Sequence, residues 1–268
     1  QYPSISCPGN KSVGTALNRC DATVTYATPT ASDNCALAPG SPQLFSGTSS
    51  GGIFYYFFSI VVWRAYDMAG NYATCSFRVI VTDMQSPTIN CPSPITANTA
   101  PGLCQSVPIN YPIPTASDNC TNLVSIVRIG GPVSGSHFPV GTTHIFWRAV
   151  DSTGRSATCS AKVVVTDNEL PALVCPTNIV QNNPAGACNS PIFYPTPVAT
   201  DNCSIRSSFL LNGLASGSSF PIGTSTITWM AFDDNGSSNT CQFTVTINCP
   251  SLRGQDMEAR TSDMGDQA

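Results

Sequence analysis

Charge is scarce in this chain. Eleven Lys and Arg, fifteen Asp and Glu and two His among 268 residues give a net charge of -4. No basic stripe exists to neutralise phosphates, which removes nucleic acid as a partner. Long apolar runs are also missing: the longest, Ile53 to Trp63, is too short to span a bilayer and is interrupted by Ser59. No membrane span is expected. No window keeps the apolar spacing of a helix for more than a turn. There is no signal segment at Gln1, so the chain reads as a mature secreted product or an excised piece of one. Nucleophile elbow, phosphate-cradling glycine loop and paired-acid motif are all absent. The two histidines, His137 and His144, lie in one region with no matching histidine elsewhere and read as exposed or strand-face residues. No catalytic residue, no cofactor and no enzyme activity is expected.

What the chain does contain is repetition. Pro29-Thr30-Ala31-Ser32-Asp33-Asn34-Cys35, Pro114-Thr115-Ala116-Ser117-Asp118-Asn119-Cys120 and Pro197-Val198-Ala199-Thr200-Asp201-Asn202-Cys203 are versions of one segment. Cys7, Cys91 and Cys175 recur every 84 residues, as do Pro3, Pro87 and Pro171. The chain divides into three units, 1-83, 84-167 and 168-250, with a polar tail at 251-268 read as a possible subunit-contact segment. Domains this small bury little surface and profit from covalent staples.

Thirteen cysteines fall four to a unit with Cys249 left over. An even number at repeated spacing reads as a disulfide framework in an oxidising, extracellular setting. The spacing is too open for a zinc site, and no metal is assigned.

Within each unit an alternating run ends at Tyr26, Tyr111 or Tyr194, and Val24, Ile109 and Ile192 share a face with those tyrosines. A turn of the type Phe138-Pro139-Val140-Gly141-Thr142-Thr143 or Phe220-Pro221-Ile222-Gly223-Thr224-Ser225 precedes a strand carrying tryptophan, then a Gly-containing turn, then a closing alternating strand. Short strands with this punctuation predict an all-β sandwich in each unit. The brief connectors predict neighbouring units that touch in a semi-rigid array. The first unit departs where the turn should be: Phe54, Tyr55, Tyr56, Phe57 and Phe58 replace it. Packing into the core or junction is the favoured reading of these five, and an assembly patch the alternative.

These landmarks together resemble the HYR (hyalin repeat) domain, an immunoglobulin-like module. Its pattern is similar to a Cys-Pro near the start, the Pro-x-Ala-[Ser/Thr]-Asp-Asn-Cys segment, Phe-Pro-x-Gly-Thr-Thr, an aromatic-x-Ala-x-Asp-x-x-Gly-Asn turn and a closing Cys-x-Phe-x-Val-x-Val strand. Arg155 and Ser237 replace the Asn after the turn glycine, and the first unit keeps it as Asn71. The resemblance implies three tandem immunoglobulin-like β-sandwich domains. Four cysteines allow three pairings per unit, which spacing leaves open. The resemblance implies long links Cys7-Cys75, Cys91-Cys159 and Cys175-Cys241, hence short ones Cys20-Cys35, Cys104-Cys120 and Cys188-Cys203, with Cys249 unpaired or intermolecular.

The aspartates Asp33, Asp118 and Asp201 of the signature, Asp67, Asp151 and Asp233 of the turn, and Asp83 and Asp167 at the unit ends read first as turn caps bonding their own backbone. Calcium near the junctions is the sharper alternative. Asn10 and Asn235 are the better glycan acceptors, with Asn119 and Asn202 weaker because a cysteine occupies the middle of each sequon. The expected function is a non-enzymatic extracellular structural protein, a fibre, matrix or surface-appendage subunit that self-associates into a homopolymer. A cell-adhesion module binding glycans or surface proteins is the alternative.

Overall fold

The computed structural model describes residues 1-120 and 124-250; the tail expected to make subunit contacts lies outside the described residues, as do residues 121-123. All regular structure among the described residues is β, in eight small sheets. The first repeat contains β1 (Ser4–Ser6), β2 (Lys11–Gly14), β3 (Asp21–Val24), β4 (Thr30–Ser32), β5 (Gln43–Ser46), β6 (Gly52–Tyr55), β7 (Phe57–Tyr66) and β8 (Tyr72–Thr82). Its main sheet runs β2-β8-β7-β5, with β2 parallel to β8 and the other pairs antiparallel. The pairs β1-β4 and β3-β6 make two smaller sheets.

Alternation decides which residues meet between these layers. Val61 on β7 and Phe77, Val79 and Val81 on β8 face Ala22 and Val24 of β3, Phe54 of β6 and Tyr26, forming one buried cluster. Tyr26 donates its hydroxyl to the Thr48 carbonyl oxygen (2.6 Å), so its polar tip is satisfied while its ring packs edge-on against Phe77.

The second repeat has β9 (Thr88–Asn90), β10 (Ile95–Asn98), β11 (Thr115–Ser117), β12 (Ser125–Gly130), β13 (Gly141–Val150) and β14 (Ser156–Thr166). The third has β15 (Ala172–Val174), β16 (Ile179–Asn182), β17 (Asn189–Pro191), β18 (Val198–Thr200), β19 (Ile205–Asn212), β20 (Ser219–Pro221), β21 (Gly223–Asp233) and β22 (Ser238–Asn248). Their main sheets, β10-β14-β13-β12 and β16-β22-β21-β19, copy the first in order and direction. The expected immunoglobulin-like sandwich is therefore present three times.

Chain contacts group the residues into two units that interleave in sequence. One comprises Gln1–Ser93, Pro112–Gly131 and His144–Lys162, and the other Pro94–Tyr111, Pro132–Thr143 and Val163 onward. Each unit holds one connector between repeats together with the residues that surround it.

The aromatic segment of the first repeat divides its residues. Phe54 is core at 1% exposure, which removes it from any surface patch, because its place in β6 is that of the buried Phe138 and Phe220. Tyr55, Phe57 and Phe58 are exposed. Phe57 holds a backbone φ of +92°, where the equivalent Gly141 and Gly223 have +104° and +96°. The turn survives in the first repeat although its glycine is replaced by a bulky residue that pays a steric cost there.

Candidate functional site

The repeated cysteines and aspartates gather at the connectors between repeats. The structure joins Cys7 to Cys75, Cys91 to Cys159 and Cys175 to Cys241, each within one repeat. The expected short links are not formed. Cys20 is bonded to Cys120 rather than Cys35, Cys104 to Cys203 rather than Cys120, and Cys188 to Cys249 rather than Cys203. Cys249 is therefore paired, and Cys35 is the free, exposed cysteine.

The reason is where the strands end. The Cys20 carbonyl accepts from the Tyr56 backbone N–H, and the neighbouring Phe57 pairs with Val81, so Cys20 stands at the pole where β8 finishes. Cys35 stands beside the β7-β8 hairpin: Met68 N–H donates to the Ala36 carbonyl and Leu37 bridges to Asp67. An eleven-residue strand separates the two poles, roughly 35 Å at 3.3 Å per residue. No disulfide spans that distance. The second cysteine of one repeat can meet only the segment beyond its own last strand. That is the signature of the next repeat, or, after Asn248, Cys249 itself.

The same connectors collect acid. Asp83 lies just after β8 and is 1% exposed. Its Oδ1 accepts from the Gln85 N–H (3.0 Å) and from Asn119 Nδ2 (3.4 Å). Asp118 Oδ2 accepts from the Cys120 N–H (3.1 Å), and Asp151 Oδ1 accepts from Thr153 and Arg155 N–H groups. These are the turn caps the sequence suggests. The remaining oxygen of each carboxylate, Asp83 Oδ2, Asp118 Oδ1 and Asp151 Oδ2, is buried without a hydrogen-bond partner. Carboxylate oxygens from the three side chains lie within 4.8 Å of one another. Burial pushes the Asp118 carboxyl above the usual carboxylate range; the Cys120 N–H opposes that shift, and the charges on Asp83 and Asp151 add to it.

The second connector repeats the pattern. Asp167 Oδ1 accepts from the Glu169 N–H, Thr99 and Asn202 Nδ2, while Asp201 Oδ2 accepts from the Cys203 N–H. Asp167 Oδ2, Asp201 Oδ1 and Asp233 Oδ2 are buried and unpartnered. A metal cluster that includes Cys203 with Asp167 and Asp201 is geometrically close, but the sulfur is consumed in the bond to Cys104 and offers no thiolate.

The glycan acceptors are sorted by the same geometry. Asn119 Nδ2 donates to the Arg19 carbonyl (2.8 Å), and Asn202 Nδ2 donates to the Leu103 carbonyl (3.2 Å). A sugar attached to either nitrogen would displace that bond. Asn235 Nδ2 also donates, to the Asp167 carbonyl (3.2 Å). Asn10 is exposed, and its Oδ1 accepts from the Arg78 N–H. His137 Nδ1 lies 2.7 Å from the Ser106 carbonyl oxygen and His144 stacks on Phe146. Sequence reasoning missed the pairing between repeats. The signal available was that Cys249 takes the connector position of Asp83 and Asp167.

Six disulfides place the chain in an extracellular, oxidising setting. Among curated proteins the chain is similar to hyalin of Strongylocentrotus purpuratus, at 30% identity over 98% of this chain and 22% of that protein. It is similar to hyalin of Lytechinus variegatus at 31% identity over 84% of this chain and 42% of that protein. The chain thus spans less than half the length of either. Among solved structures it is similar to mouse cadherin-23 EC22-24 with a TM-score of 0.39 and 14% identity, covering 93% of this chain and 99% of that one. The HYR domain profile matches residues 1–81, 82–165 and 166–247. With the profile matched in three successive copies, this chain belongs to the HYR domain family.

Proposed function

We propose that this chain is a non-enzymatic structural subunit of an extracellular fibre, matrix or surface appendage, built from HYR domains at 1-83, 84-167 and 168-250 and assembling as a homopolymer. The observation that carries the reading is the stagger of the disulfides. Each second cysteine reaches forward to the third cysteine of the following repeat, as Cys20 to Cys120 and Cys104 to Cys203. Cys35 has the third-cysteine position and is free and exposed.

A second copy can supply its partner without an oxidant. The Cys35 thiolate attacks Cys188 Sγ of the second copy, the Cys188–Cys249 bond breaks, and Cys249 leaves as a thiolate that takes up the proton lost from Cys35. The new bond continues the register already set twice within the chain. The exposed rings of Tyr55, Phe57 and Phe58, with Arg78 over the Phe58 ring at 5.7 Å, add an apolar surface for the same contact.

Electron microscopy of the purified full chain at high concentration, with non-reducing gels alongside, tests the proposal. Regular filaments and a ladder lost in Cys35→Ser support it. Monomers that stay apart at every concentration overturn it, and monomers that bind a carbohydrate array would favour an adhesion module instead.

A further inference from the structure

We propose that each connector between repeats is a site for one divalent, oxygen-preferring cation of the calcium class. At the first connector the ligands are Asp83 Oδ2, Asp118 Oδ1 and Asp151 Oδ2. At the second they are carboxylate oxygens of Asp167 and Asp201, which come within 4.8 Å of each other; Asp233 Oδ2, in the position equivalent to Asp151 Oδ2, is likewise buried without a partner.

The carboxylates are not simply crowded surface acids. Asp83 and Asp151 are 1% and 6% exposed, and Asp167 and Asp233 are 3% and 1% exposed. Each keeps one oxygen pinned by backbone or side-chain donors and turns the other into the interior with nothing to accept from. A buried carboxylate oxygen in that state is costly, and three together repel one another. No basic side chain among the described residues forms an ion pair with them. Among the described residues the ion pair formed is Arg19 with Asp21, and the Arg155 guanidinium lies on Met84 Sδ. A single ion bonding oxygens at 2.3–2.6 Å can touch ligands up to about 5 Å apart, which accommodates the 4.8 Å limit within the first cluster. Asn119 Oδ1 and Asn202 Oδ1, both enclosed and unpartnered, stand next in sequence to Asp118 and Asp201 as neutral oxygen donors.

The first repeat provides an internal control. Asn71 Nδ2 donates to Asp67 Oδ2 at 2.7 Å, so the oxygen that is orphaned in Asp151 and Asp233 is satisfied in Asp67. The residues at the Asn71 position in the other repeats are Arg155 and Ser237. Those two changes leave Asp151 Oδ2 and Asp233 Oδ2 bare, and Asp151 is the one that meets a connector aspartate, Asp83. The donor set is all oxygen, which selects a hard cation over zinc or copper.

Isothermal titration of the EDTA-stripped full chain with calcium chloride, together with thermal unfolding at each calcium level, tests the site. The wild type is expected to bind two ions and to unfold at a higher temperature with calcium than without. Asp83→Asn loses one binding event, and Asp83→Asn with Asp167→Asn loses both along with the thermal shift. Arg155→Asn is a variant that keeps every existing bond to Asp151 while offering an amide to its Oδ2, as Asn71 does to Asp67. It is expected to weaken the first site at least tenfold with the calcium-free unfolding temperature unchanged or raised. Absence of heat and of any thermal shift in the wild type up to about 10 mM calcium, beyond the range of extracellular calcium modules, overturns the proposal. So does wild-type binding by both the Asp83→Asn, Asp167→Asn double variant and Arg155→Asn.

Discussion

Cys20 is bonded to Cys120 across a separation of 100 residues, while Cys35, only fifteen positions from Cys20, is left free. The bond ties the end of one repeat to the start of the next, so the covalent framework staples the connectors as well as the domains.

Non-reducing peptide mapping should recover Cys20 with Cys120 and Cys104 with Cys203 in single linked peptides. Recovery of Cys20 with Cys35 would falsify the stagger. In a chain-entropy account, loop closure over these separations corresponds to about 4–5 kcal/mol for each bond taken alone. Replacing Cys20 and Cys120 together by Ser is expected to lower the denaturation midpoint and to split the transition, because the first repeat keeps Cys7–Cys75 but loses its tie to the second. An unchanged single transition would contradict a mechanical role for the bond.

Phe57 occupies a position where the other repeats use glycine, at φ +92°. Its ring is mostly exposed, so removing it sacrifices little burial. Phe57→Gly should be more stable than Phe57→Ala by about 1 kcal/mol, since only glycine adopts that backbone without a Cβ clash. Urea unfolding of the two variants measures the difference. On the proposed function, both should also assemble less well than the wild type.

Asp67 is held below the usual carboxylate range, first by the Asn71 side-chain amide, with burial opposing and the Asn71 and Ala69 backbone N–H groups reinforcing. A depressed carboxyl stabilises the fold above its unfolded pKa, and the contribution disappears as pH falls through the folded value. Asn71→Ala should raise the Asp67 pKa and move acid unfolding of the first repeat to higher pH. A carbon-13 NMR titration of the carboxyl reads the first effect directly. No change in that titration would remove the amide as the cause.

Tyr26 donates to the Thr48 carbonyl oxygen from within the first core. Tyr194 does the same to the Leu214 carbonyl in the third (2.5 Å). Tyr26→Phe keeps the ring contacts with Phe77 and Phe54 and removes only the hydroxyl, at an expected cost of about 1 kcal/mol. Tyr26→Ala removes the ring as well and should cost about 3–5 kcal/mol. Equal losses in the two variants would mean that the hydroxyl, not the ring, carries the position.

Much of the fold is legible in the residues alone. Val24 and Tyr26 alternate with polar neighbours because one face of a strand meets the core, and both are buried. Asp-x-x-Gly turns announce themselves because Asp bonds its own backbone and glycine accepts the positive φ, as in Asp151 with Gly154 at +87°. Phe54 misleads in part. It belongs to a run of five aromatics, and only its pairing with Ala22 across β3 and β6 shows that this ring points inward while Tyr55 points out.

By itself, the sequence determined the repeat, the strands within it and the family, since each depends on residues close along the chain: an alternation, a turn, a cysteine before a proline. Only the tertiary structure decided which cysteines pair and which aspartates converge. Both depend on the pole of the sandwich at which a residue stands, and an eleven-residue strand carries neighbours in sequence to opposite poles. Cys20 and Cys35 stand by the two opposite ends of that strand. Cys20 and Cys120, like Asp83, Asp118 and Asp151, are brought together by the connector between repeats.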